Sequence, residues 1–238
     1  MTAPIVLAGL VILIGAVVQG AVGYGMNLVA APLVTLIEPA LMPVPLVLVA
    51  SFHGVLTMIR EHRHIHWRGV WWVTLGRVPG TALGVAAVAT LAERPFSAIV
   101  GLAVLGCVIL SVVSWRPEPV PGPLVVAGVA SGAFGTAAAI GGPPIALLYQ
   151  HSPGPQIRAT LAACFCLGTV LSLAGLGIGG QLQATHFAQA GWLLPFLVAG
   201  FLVSGPLRPV LDGGRTRHAV LIVAAGSALA LIARSAFG

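Results

Sequence analysis

Gln19-Gly20-Ala21-Val22-Gly23-Tyr24-Gly25-Met26-Asn27 holds a glycine-rich break, 20–25, inside an apolar run over residues 5–37, and Ser131-Gly132-Ala133-Phe134-Gly135-Thr136 opens a second break, 132–142, inside a run over 124–149. The two interruptions are copies. Gly20, Ala21, Gly23 and Pro32 recur 112 positions later as Gly132, Ala133, Gly135 and Pro144, and Trp72, Gly80 and Gly106 recur 120 positions later as Trp192, Gly200 and Gly226. The residue types that repeat are those that constrain backbone shape and membrane depth, so the duplicated property is architecture. The chain divides into a first repeat, 1–118, and a second, 119–238.

Composition sets the environment. With 58% hydrophobic and 7% charged residues, the chain lies outside the range of soluble domains and reads as an integral membrane protein. Glu38, Glu61, Glu93, Glu118 and Asp212 all fall near the edges of apolar runs or between them, where burial in a bilayer costs least. The net charge of +6 is carried by arginine alone, and the absence of a long basic stretch argues against a nucleic-acid partner. The apolar stretch from Ile5 has no basic residue ahead of it and reads as a first membrane segment rather than a cleaved leader.

The remaining runs cover 43–59, 70–92 and 95–115 in the first half and 157–178, 187–211 and 219–233 in the second. Most have the roughly 20-residue length of a membrane helix. The first run of each half is longer and broken, which predicts two short helices meeting at an irregular turn. Arg60-Glu61-His62-Arg63-His64-Ile65-His66-Trp67-Arg68 holds three arginines and three histidines, which places it in the cytoplasm. Its counterpart, 179–186, has no arginine or lysine, whereas the neutral Glu93-Arg94 link corresponds to 208–217, with three arginines. Opposite bias in equivalent loops implies halves that sit upside down relative to each other. Inversion requires an odd number of crossings per half. Counting each broken run as two segments gives five, a re-entrant hairpin gives three, and a single kinked helix gives four and fails. The fold expected is an all-α polytopic membrane helix bundle of two inverted repeats of about five segments each, with broken or re-entrant first helices and both termini away from the cytoplasm.

Irregular backbone inside a membrane is tolerated only where protein buries it or a cavity borders it. Two such breaks, one per half, should meet near the midplane, with short helices starting there and pointing free N–H groups and positive dipole ends at an anion. The candidate substrate site is therefore Gln19, Gly20, Gly23, Tyr24 and Asn27 facing Ser131, Gly132, Gly135 and Thr136, with Gly141 and Gly142 as a second wall. The same glycines equally suit close helix packing. Arg77, inside an apolar run beside Pro79-Gly80, is a candidate source of positive charge. The alternative is a side chain that snorkels or pairs with backbone carbonyls. His53, in mid-segment, is a candidate proton relay, with a satisfied core histidine as the alternative.

Other constellations carry less. His62, His64 and His66 alternate between arginines in a loop without partnering carboxylates or cysteines, and read as a solvated basic turn rather than a metal site. Arg158, after Pro153-Gly154-Pro155, reads as an anchor at the cytoplasmic surface. Cys107, Cys164 and Cys166 sit within apolar runs, where cysteine behaves as a small hydrophobe. The Cys164-x-Cys166 pair lacks a third ligand of suitable spacing, so no metal or cofactor is expected. No Ser/His/Asp set, paired carboxylates or phosphate loop is visible, which disfavours an enzyme. A membrane thiol-redox protein acting through that pair is the enzymatic alternative.

The glycine-rich stretch followed by proline in each half, the loop ending His64-Ile65-His66-Trp67-Arg68, the Gly76-x3-Gly80-x3-Gly84 ladder, and the stretch from Ser131-Gly132 to Gly141-Gly142-Pro143-Pro144 together resemble the TauE/SafE family of sulfite exporters and related anion permeases. The resemblance covers nearly the whole chain. It implies a multi-pass bacterial inner-membrane transporter that moves sulfite, sulfonates or other small sulfur-containing anions, generally outward. An anion channel of the same architecture is the alternative. The partners implied are the small anion and the lipid bilayer, with a homodimer left open. The chain departs from the commoner family pattern where three consecutive glycines are usual and Gly23-Tyr24-Gly25-Met26-Asn27 stands instead. Tyr24 and Asn27 thus project where the family often has only backbone.

Overall fold

The computed structural model describes residues 3–112, 117–211 and 215–237, and every regular element among them is helical. The order is α1 (Ala3–Val22), α2 (Met26–Ile37), α3 (Val44–Glu61), α4 (Trp67–Thr90), α5 (Glu93–Val112), α6 (Pro121–Ala138), α7 (Gly142–Tyr149), α8 (Gly154–Ile178), α9 (Ala184–Leu211) and α10 (Arg215–Phe237). Seven of these are long and apolar enough to cross a membrane. Large apolar side chains such as Leu7 and Ile14 on α1, Trp71, Leu75 and Leu83 on α4, and Ile222 and Leu229 on α10 are exposed, a surface suited to lipid. The chain is a multi-pass membrane protein. Residues 113–116, at the junction of the two halves, and 212–214, within the basic 208–217 link, lie outside the described residues, as do the side chains of Glu93, Arg94 and the three arginines of that link.

The broken runs differ from the expectation of two short helices. Only the second member of each pair is short: α2 has 12 residues and α7 has 8, or about 18 and 12 Å at 1.5 Å per residue. α1 has 20 residues and is long enough to span by itself. The break falls at its end because Gly23 and Gly25 adopt left-handed backbone, with φ of 98° and 118°, a region that glycine enters without steric cost. In the second half the helix runs through Gly132 and Gly135 and stops at Ala138, and the link is Ala139-Ile140-Gly141. Pro143 and Pro144 then open α7, where a missing N–H costs little.

Glycines set the helix directions. A β-carbon on Gly76 would strike the Val125 carbonyl, one on Gly80 the Val129 carbonyl and one on Gly84 the Ala133 carbonyl, while Gly128 and Gly132 lie against the carbonyls of Val73 and Arg77. Both series ascend together, so α4 and α6 run parallel in close backbone contact. Likewise Gly9 lies against Phe196, Gly200 against the Leu13 carbonyl and Gly20 against Ser204, which makes α1 and α9 parallel. Further pairs match: α2 packs on α10 and α7 on α5, while α3 packs on α9 and α8 on α4. Each contact turns into its partner when α1–α5 are exchanged, in order, with α6–α10.

At one end of the bundle the free carbonyls of α1 are closed by arginines. Arg60 Nη2 donates to Gly20 O at 3.0 Å and Arg158 Nη1 to Ala21 O at 3.3 Å, as helix C-termini favour. Arg158 Nε also donates to both carboxylate oxygens of Glu61 at 2.9 Å. Arg158 and Glu61 are each 8% exposed, so Arg158 is a buried strut rather than a surface anchor. Breaking a buried pair by removing one partner costs about 3–5 kcal/mol. Glu61→Gln should therefore lower the thermal unfolding temperature in detergent markedly, and adding Arg158→Leu should recover part of the loss.

Candidate functional site

The two chain breaks meet. Asn27, in the first turn of α2, donates from Nδ2 to Ala139 O at 2.6 Å, across a separation of 112 residues. That is the offset of the sequence repeat, so Asn27 touches its own counterpart. Gln19, one turn before the end of α1, accepts the Met26 N–H on Oε1 at 3.3 Å and so caps α2. Gln19 Nε2 lies 3.1 Å from His53 Nδ1, and His53 Nε2 lies 3.3 Å from Ala16 O. Because the amide oxygen already accepts from Met26, its nitrogen donates to Nδ1, and the imidazole carries its proton on Nε2.

Between the breaks lies a cavity of about 40 Å³, room for about three waters at ~10–15 Å³ each. Gln19, Tyr24, Gly25, Asn27 and Leu28 form one side and Gly135, Ala139, Ile140, Gly141, Gly142 and Pro143 the other. The α2 and α7 N-termini both abut it, and helix starts carry free N–H groups and partial positive charge. Arg77 completes the lining from α4. It is only 3% exposed, so it does not snorkel. Arg77 Nη1 donates to Ser131 Oγ at 2.9 Å, and that hydroxyl donates onward to Gly141 O at 2.6 Å. Arg77 Nε is buried with no hydrogen-bond partner. Among the described residues no carboxylate lines the cavity, and the ion pairs found, Arg60–Glu61 and Arg158–Glu61, lie at the end of α3.

Of the residues marked in the sequence, Gln19, Tyr24, Asn27, Arg77, Gly135, Gly141 and Gly142 line this space. Ser131 stands behind Arg77, and Thr136 hydrogen-bonds Ser172 at 2.7 Å. Gly20 and Gly132 instead permit the α1–α9 and α4–α6 approaches, and Gly23 lies against Arg158. His53 sits beside the lining, 1% exposed, with Phe201 edge-on at 5.3 Å. The sequence reading missed α8, which contributes Phe165, Thr169 and Ser172, and α3, which contributes Val47 and Ala50. Gly168 was missed too: a β-carbon there would occupy the position of the Arg77 guanidinium. The signal was available as small and polar residues on one face of α8, Gly168, Thr169 and Ser172, at helical spacing from Phe165.

Tyr24 and Pro143 also line a second cleft of about 150 Å³, bounded by Val22, Leu110, Gln150 and Ile157. The two spaces share that wall. A family model described as the sulfite exporter TauE/SafE matches residues 7–231. The chain belongs to the TauE/SafE family. Membership makes it a protein of the membrane anion-exporter type, and among the described residues the formal charge on the cavity lining is that of Arg77. No curated protein and no solved structure matches the chain.

Proposed function

We propose that this TauE/SafE protein is a secondary transporter that exports small sulfur-containing anions of the sulfite and organosulfonate class across the bacterial inner membrane, by alternating access around the Arg77 cavity. One observation carries the reading: a guanidinium buried in an apolar bundle with no carboxylate beside it among the described residues. An unpaired charge in such a place costs several kcal/mol, and a bound anion is the partner that offsets it. The helix starts of α2 and α7 add to the attraction.

The alternating mechanism rests on two inverted repeats, 1–118 and 119–238. The parallel α4–α6 pair supports the inversion, because α6 then starts at the end where α4 starts, beside the Arg60–Arg68 loop. α1 finishes at that end, where Arg60 and Arg158 close its carbonyls. The Asn27–Ala139 contact lies where a two-fold axis relating the halves would pass. Rocking about this axis would part the Tyr24–Pro143 wall and open the cavity towards the Arg60–Arg68 end. Export of a monoanion from an inside-negative cell is favoured by about 2.3 kcal/mol per 100 mV, so strong ion coupling is unnecessary.

Vesicles containing the purified protein and preloaded with sulfite should take up labelled sulfite by saturable counterflow. Flux that rises linearly with concentration and shows no counterflow would replace the carrier with a channel. Absence of flux for sulfite and for organosulfonates would remove the substrate class.

A further inference from the structure

Two polar side-chain atoms on cavity-lining residues are buried without a hydrogen-bond partner, and they are of opposite kind: Arg77 Nε is a donor and Asn27 Oδ1 an acceptor. A free donor suits an anion. A free amide oxygen does not, since a fully ionised oxyanion offers it only repulsion. Nor can the amide turn over. Its Nδ2 donates to Ala139 O at 2.6 Å, and exchanging nitrogen for oxygen would set two acceptors against each other. Ala139 is itself held in left-handed backbone, with φ of 58°, a conformation that a residue with a β-carbon adopts only when its surroundings impose it.

Three donors beside the breaks are already committed. Gln19 Nε2 is engaged with His53, the Met26 N–H with Gln19 Oε1, and the Ser131 hydroxyl with Gly141 O. Buried acceptors are seldom left unmatched in a folded protein. A solute that fills this small cavity displaces water from it, so the donor that meets Asn27 Oδ1 in the loaded site is one that the solute brings. Resting on the anion-transport reading above, we infer that the transported anion itself carries a hydrogen-bond donor, either a retained acid proton or a hydroxyl next to the charged group, and that Asn27 selects it. Hydrogensulfite and small hydroxysulfonates have such a donor. The dianions sulfite, sulfate and thiosulfate have none.

Hydroxymethanesulfonate and ethanesulfonate test this directly, since they are monoanions of nearly equal shape that differ by a hydroxyl in place of a methyl. Calorimetric titration of the full-length protein in detergent should give about 10- to 100-fold tighter binding of hydroxymethanesulfonate, the range expected when a buried acceptor gains or lacks its donor. Asn27→Leu should bring the ratio of the two affinities close to one. A second measurement needs no variant: sulfite flux in vesicles should fall as pH rises through the second ionisation of the acid, while ethanesulfonate flux stays flat. Equal affinities for the two sulfonates in the parent protein, or sulfite flux that does not fall with pH, would overturn the inference and leave the anion site standing. Failure of every sulfur anion to bind would instead remove the transport reading on which it rests.

Discussion

Arg77→Gln should abolish sulfite-dependent stabilisation and sulfite flux while leaving the anion-free protein at least as stable as its parent. The two halves of that outcome have separate causes. In the anion-free protein, Arg77 is a buried cation whose one side-chain hydrogen-bond partner shown is the Ser131 hydroxyl. Exchanging it for a neutral amide removes a desolvation cost that no carboxylate offsets. With the anion bound, the same exchange deletes the opposite charge from a desolvated pair, a loss of about 2–5 kcal/mol. At 1.4 kcal/mol per decade this is at least about 30-fold in affinity. Arg77→Lys should fall between the two, keeping the charge but losing the planar fork that reaches several oxygens at once. Thermal unfolding in detergent, with and without sulfite, reads both halves. A merely structural arginine would lower the anion-free midpoint instead. A variant stabilised by sulfite as strongly as the parent would remove Arg77 from the site.

Much of this arrangement is legible in the sequence, because apolar runs fix where helices lie and glycine with proline fixes where they stop. The interruptions at Gly23–Gly25 and before Gly142-Pro143-Pro144 fall inside the stretches that the repeat singles out. The choice of Arg77 needed only the rule that an intramembrane charge has a purpose. What one chain cannot announce is which helix faces which. Gly20 and Gly135 look alike in sequence, yet Gly20 admits α9 and Gly135 lies against the Arg77 guanidinium. The contribution of α8 stayed hidden for the same reason: Thr169 and Ser172 are ordinary small polar residues until the position of Arg77 is known. His53 illustrates a finer limit. Its mid-segment position is visible, but the hydrogen bonds that orient its ring come from α1, 34 and 37 residues away.

Gly80→Leu should prevent folding or cost well over 3 kcal/mol, the upper end of ordinary overpacking, whereas Gly106→Ala should be neutral or stabilising by up to ~1 kcal/mol. Both glycines recur 120 positions later, as Gly200 and Gly226, so sequence repetition alone ranks them together. Geometry separates them. A β-carbon on Gly80 meets the Val129 carbonyl, a backbone atom that moves only if α4 and α6 part. Nothing stands within 4 Å of a β-carbon on Gly106 or Gly226. The separation would also reach the cavity, because Gly80 lies one turn from Arg77, and Ser131 and Gly135 on the facing helix hold that guanidinium from behind. A milder change, Gly80→Ala, should thus weaken sulfite binding even in molecules that fold. Yield of monodisperse protein, the unfolding midpoint in detergent and sulfite-dependent stabilisation report the three effects. A Gly80→Leu protein that folds and binds sulfite normally would refute the close α4–α6 contact, and with it the parallel register from which the inversion of the two halves is argued.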